Sequence, residues 1–190
     1  MLTKEYLGSV FAEAAPYAEY VLTGTAEQQA KWRTIHEQAS LTAGQRKLLA
    51  GFTRPMKALV TSGMWCGDCV QQCPLLARIA EANTKVIDLR FVDRDARMDL
   101  SEQIKINDGL RVPTAIFMAE DDHFVSLMGD RPLTRYRAVA SRQLGPACPL
   151  PGAPVPPEEM AATLQSWLDE FERVQLLLRL SPRLRQRHGD

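Results

Sequence analysis

The chain has 190 residues, 45% hydrophobic and 24% charged, which describes a folded domain and excludes a disordered, collagenous or low-complexity chain. Lys plus Arg number 23 and Asp plus Glu number 23, so the net charge is zero and the electrostatic footprint of a nucleic-acid binder is missing. The longest apolar runs fall far short of the roughly 20 residues that span a bilayer, and Lys4, Glu5, Glu13 and Glu19 interrupt the apolar core a secretory signal needs; a cytoplasmic protein without membrane or nucleic-acid partners is expected.

Residues 3–52 read as two or three helices with no strand-like run. Thr25 with Gln28, and Thr42 with Gln45, have the spacing of capping boxes. Pro16 interrupts the first helix, and Trp32, Ile35 and Ala39 recur at helical spacing in the second. Residues 1–52 are therefore read as an N-terminal helical extension packed on the rest. Residues 57–62 have a buried-strand pattern that runs through Gly63 into Trp65-Cys66-Gly67-Asp68-Cys69 and then a helix to about Glu81. Residues 86–92 alternate like a strand, 100–107 read as a helix, and 114–118 and 124–128 as strands joined by the acidic turn Glu120-Asp121-Asp122. A helix over 133–144 closes a β-α-β-α-β-β unit over 53–144. Residues 145–157, six of them proline, read as a connector. Beyond it, Met160, Leu164, Trp167, Leu168, Phe171, Val174 and Leu178 share one face of a helix predicted over 158–180, and the basic tail 183–188 is expected to be solvated and frayed. Residues 145–190 thus supply a connector and C-terminal helix, and the whole is one globular unit.

Four cysteines are too few for a disulfide-built scaffold, so their placement carries the information. Cys66 and Cys69 form C-x-x-C, Cys73 follows one helical turn later, and Cys148 stands alone in the proline-rich stretch. A thiol at a helix N-terminus is stabilised as the thiolate by unpaired N–H groups and the helix dipole. A second thiol one turn in can resolve a mixed disulfide formed by the first. Trp65 would flank the site, and Gly67 allows a tight turn and close approach of a substrate backbone. Downstream, Val112-Pro113-Thr114 stands where a loop enters a strand beside the cysteines; Pro113 is a candidate cis proline that would present the Val112 backbone to an extended peptide.

With these residues assembled, the chain resembles the thioredoxin superfamily. The carrying features are Trp65-Cys66-Gly67-Asp68-Cys69, Pro74 five residues after the second cysteine, Val112-Pro113-Thr114 at the cis-proline position, and Gly129 sixteen residues on. The resemblance covers about 53–144 and implies an α/β thioredoxin fold, a central mixed sheet flanked by helices, here enlarged by the N-terminal extension and the long C-terminal helix, as in a larger bacterial thioredoxin-like protein. It also implies disulfide reduction in protein substrates, with Cys66 attacking and Cys69 resolving, electrons coming from a reductase and no bound cofactor or metal. Trp65, Gly67, Asp68, Val112, Pro113 and Thr114 would border the substrate groove. Oligomeric state is left open.

The chain departs from that family at Val60, where thioredoxins carry a buried aspartate that assists the resolving thiol. Asp68 replaces the motif's proline: either its charge opposes the Cys66 thiolate, or it caps the helix. Cys73 is read as a buried inert thiol, with a third redox thiol as the sharper option, although an i,i+4 disulfide would strain the helix. Cys148 is read as a bystander. Two other classes compete: a non-catalytic binding module presenting the Trp32 and Trp167 helices, and a metal site on Cys66, Cys69 and Cys73 completed by Cys148 or a histidine. Neither His36, His123 nor His188 is near the cluster in sequence, and the cysteine spacing does not match paired zinc knuckles. A peroxiredoxin reading fails for want of a proline in 57–65, and Trp65 favours thioredoxin over glutaredoxin chemistry.

Overall fold

The computed structural model describes residues 1–144 and 158–190, so the expected connector and Cys148 lie outside the described residues. The N-terminal segment comprises α1 (Lys4–Glu13), β1 (Ala15–Pro16), α2 (Tyr17–Leu22), α3 (Ala26–Gln38) and α4 (Ala43–Ala50). Both capping boxes form, with Thr25 and Thr42 each accepting the N–H three residues on while Gln28 and Gln45 reach back. The strand-free reading of this segment is corrected, and so is its helix number. Pro16 does not merely interrupt a helix: with Ala15 it forms an edge strand, where a residue lacking an N–H is tolerated.

The core unit follows as β2 (Met56–Ser62), α5 (Gly67–Glu81), β3 (Ile87–Asp93), α6 (Met98–Ser101) with a 3-10 turn over Glu102–Ile104, β4 (Thr114–Ala119), β5 (Phe124–Gly129) and α7 (Leu133–Gln143). The helix expected over 100–107 runs over 98–104 instead, because Lys105 turns extended with ψ of 139°, and Asn107 and Asp108 follow with φ of 48° and 58°. The sheet order is β1-β3-β2-β4-β5, with β2 and β3 parallel and the other pairs antiparallel. β2 lies at its centre and is buried on both faces, which explains its unbroken apolar pattern.

Alternation along the strands divides the core in two. Ala58, Val60, Phe91, Ala115 and Phe117 face α2–α5 and the long helix α8 (Glu159–Leu180). Leu59, Val92, Ile116 and Met118 face the other way, onto Leu7, Val10 and Phe11 of α1 and Leu100 of α6. On α8 the predicted apolar stripe is buried, with Trp167, Leu168, Phe171 and Val174 fully covered, and no helix among the described residues is long and apolar enough to cross a membrane. The frayed tail is a second correction. Pro182–His188 forms α9, started by a Ser181 cap and anchored by buried Leu184, while Arg183 and Arg187 meet Asp121 and His188 meets Glu120. The acidic turn between β4 and β5 supplies the counter-charges.

Candidate active site

The end of β2 and the start of α5 place the first two sulfurs. Gly63 follows the strand because the Trp65 indole lies over it; a Cβ there would come within 2.6 Å of the ring. The chain then turns so that Cys66 is the N-cap of α5, with extended backbone, and its sulfur accepts the Cys69 N–H at 3.5 Å. Its thiol also lies 3.6 Å from the Val112 carbonyl. Cys66 is partly exposed, whereas Cys69 and Cys73, one and two turns into the helix, are fully buried. The Cys73 sulfur is 3.4 Å from Ser62 Oγ.

The two motif thiols titrate as a pair. The hydrogen bond with the Cys69 sulfur and then burial push Cys66 up, against the N–H groups of Cys69 and Asp68, which pull it down. Burial pushes Cys69 well above the ordinary thiol range. The mutual hydrogen bond opposes this rise at Cys69, while Cys66 is the sulfur that reaches both the helix N-terminus and the surface.

Val112-Pro113-Thr114 lies against this helix start, with the Val112–Pro113 peptide cis. Thr114 is buried; its hydroxyl donates to the Arg111 carbonyl, and the Thr61 hydroxyl donates to the Thr114 carbonyl. Gly129 faces Thr114 across the β4–β5 ladder, where a Cβ would press on Thr114 Oγ1 at 2.6 Å and the Pro113 carbonyl at 2.9 Å. Trp65 is 52% exposed with the Arg94 guanidinium 4.5 Å over its ring. Between Trp65 and Gly67 on one side and Thr25, Gln28 and Lys31 of the α3 end on the other runs a groove of about 380 Å³. A larger cavity of about 1020 Å³, between α4 and α8, has no thiol in its lining.

Asp68 neither caps α5 nor stands free before the thiolate, since Cys66 holds the cap and Arg131 and Arg135 hold the carboxylate. Burial alone would raise this carboxyl; the two guanidiniums override it and hold Asp68 below its usual range. Arg135 continues to Glu159 at the start of α8. Gln72, on the same helix as the cysteines, donates to the Asp130 carbonyl at 3.1 Å and accepts from the Trp167 indole N–H at 3.0 Å. Val60 is fully buried among apolar neighbours, so no carboxylate stands at that place. Among the described residues no three His, Cys, Asp or Glu side chains have metal-binding geometry. The sequence reading overlooked Ser62, Arg94, Arg131 and Arg135; the basic pair shortly after Gly129 was the one available signal.

A family model described as Thioredoxin matches residues 14–142. Among curated proteins no sequence matches. A protein of unknown function from Pseudomonas aeruginosa has a similar structure, with TM-score 0.59 and 19% identity over 89% of this chain and 94% of that one. An HIV epitope scaffold gives TM-score 0.62 and 19% identity over 92% and 98% of the two chains. At this identity they bear on the fold alone. The germline-specific thioredoxin Deadhead from Drosophila melanogaster aligns over 44% of this chain and 75% of its own, with TM-score 0.35 and 18% identity. Since the family match takes in most of the chain and the mixed five-stranded sheet carries its architecture, the chain belongs to the thioredoxin family.

Proposed function

We propose that the chain is a thiol–disulfide oxidoreductase that reduces disulfides in protein substrates through Cys66 and Cys69. The observation that carries this is the division of labour between the two sulfurs: one at the surface on a helix N-terminus, the other buried behind it and bonded to it through its own N–H. The Cys66 thiolate attacks a substrate sulfur, forming a mixed disulfide and releasing one substrate thiol. Cys69 then attacks Cys66, giving the Cys66–Cys69 disulfide and the second thiol. Trp65 and Gly67 line the groove, whereas Asp68 and the Val112-Pro113-Thr114 loop, expected to border it, lie outside its lining; the Val112 carbonyl beside Cys66 is the group available to an extended substrate backbone. Asp68, tied to two arginines, fixes the helix start. A reductase returns the electrons, and a reducing compartment such as the cytoplasm suits that direction.

The test equilibrates the protein in graded thiol–disulfide buffers, traps free thiols and counts them by mass. One two-electron transition at Cys66 and Cys69, near the thioredoxin potential of about −270 mV, is the expected result. A potential near −120 mV would make the protein an oxidant. If no disulfide forms between these cysteines at any poise, the reading is wrong and a binding module takes its place.

A further inference from the structure

Resolution requires Cys69 to attack as a thiolate from a fully buried position, and burial resists that ionisation. The polar groups around its sulfur are few. Cys66 and Cys73 lie on its own helix, Ser62 on β2, and Tyr20 and Tyr17 of α2 and Asp93 of β3 form the next layer. Cys66 is the atom under attack, and as a mixed disulfide has no hydrogen to give. The Asp93 carboxylate is engaged by the N–H groups of Asp95 and Ala96. Ser62 is the neutral donor within reach. It is fully buried on the same face of β2 as Val60, with Oγ 3.4 Å from the sulfur of Cys73, which stands one helical turn beyond Cys69 on the buried face of α5.

A hydroxyl has one hydrogen to give and two lone pairs to accept with. In the resting dithiol the Ser62 hydrogen has two sulfurs to choose between. Once Cys69 ionises, the anion is the stronger acceptor and draws the hydroxyl away from Cys73.

We propose that Ser62 donates the hydrogen bond that stabilises the Cys69 thiolate during resolution, and that Cys73 is a positioning residue that competes for that hydroxyl. This rests on the dithiol reading above. The Cys69 S–H gives its proton, through solvent, to the departing substrate thiolate. A sulfur electron pair of Cys69 forms the Cys66–Cys69 bond while the bond from Cys66 to the substrate sulfur breaks and its pair leaves with that sulfur. Ser62 keeps its hydrogen, and Cys73 is neither oxidised nor reduced.

The experiment mixes the reduced protein with dithiobis(nitrobenzoate) across pH. The first nitrothiolate released reports Cys66 attack; the second reports resolution by Cys69. Ser62→Ala is expected to leave the first phase unchanged, slow the second by about tenfold or more and move its pH midpoint up, since a hydrogen bond to a charged group is lost. Ser62→Thr restores the hydroxyl and should restore the midpoint. Cys73→Ala moves the midpoint the opposite way, down, because the hydroxyl is left to Cys69 alone; this variant decides the matter should Ser62→Ala fold poorly. Second phases identical to wild type in both Ser62→Ala and Cys73→Ala would overturn the proposal while leaving the dithiol reading intact. A wild-type protein that releases one equivalent only, like Cys69→Ser, would overturn both.

Discussion

Cys69 binds its proton more tightly in the folded protein than in the unfolded chain, because burial penalises its thiolate. The stability this contributes is present below the ordinary thiol value of about 8.5 and is lost as pH rises through and beyond it. The urea midpoint of the reduced protein should therefore fall between about pH 8 and 9.5, below the range where tyrosines ionise. The oxidised protein and Cys69→Ser should show a flatter profile; equal slopes in all three would contradict the assignment. Asp68 carries a second residue-level prediction. Asp68→Asn leaves Arg131 and nearly buried Arg135 without their shared carboxylate, which should cost about 2 kcal/mol, less than a fully buried pair because the site is partly wet. With the Asp68 charge removed, the two guanidiniums beside the α5 N-terminus should also speed alkylation of Cys66 at pH 7, and a slower or unchanged rate would mean that their field does not reach the sulfur. The C-x-x-C spacing was legible in sequence because a helix turn makes neighbours of residues three apart. The partners of Asp68 and Cys73 were not, since Arg131, Arg135 and Ser62 reach them only through the sheet's crossovers.

Elements whose signals are local were readable to within a residue or two: both capping boxes, the strands and the apolar stripe of α8. Elements that exist only by pairing were not. Two residues containing a proline carry no strand pattern, yet β1 forms because β3 offers an open edge, and the family match begins one residue before it. Likewise the basic tail reads as solvated until the fold brings Glu120 and Asp121 beneath it. Leu184→Ala should cost about 2 kcal/mol if α9 unfolds with the rest, since a leucine buried to 1% exposure is lost. A much smaller loss, with fast amide exchange confined to the last residues, would show α9 detaching on its own. Its ion pairs are largely exposed, so salt should weaken its docking only slightly.

At the scale of the molecule, the terminal segments complete the hydrophobic core. Tyr20 and Trp32 from the N-terminal side and Trp167, Phe171 and Val174 from α8 belong to the same cluster as β2 and α5. Cutting the chain after residue 144 exposes the partners of six large apolar side chains of α8, each worth about 1.5–3 kcal/mol, against a total stability of about 5–15 kcal/mol for a typical domain. The shortened chain is expected to lose its near-ultraviolet circular dichroism and its cooperative melt; retention of both would make α8 an accessory. The sequence pattern showed that α8 must dock but not onto what. The Gln72–Trp167 hydrogen bond answers that, since it joins the cysteine-bearing helix to α8 directly.

The placement of the three tryptophans has an optical consequence. Trp32 and Trp167 are sealed in the core, while Trp65 alone meets solvent, next to Cys66 and beneath the Arg94 cation. Red-edge emission therefore belongs to one indole, an adjacent disulfide should dim it, and iodide, drawn in by the guanidinium, should quench it better than caesium. The protein carries its own fluorescent gauge of sulfur oxidation state, and a polypeptide lying in the groove would shield that gauge from iodide without a label.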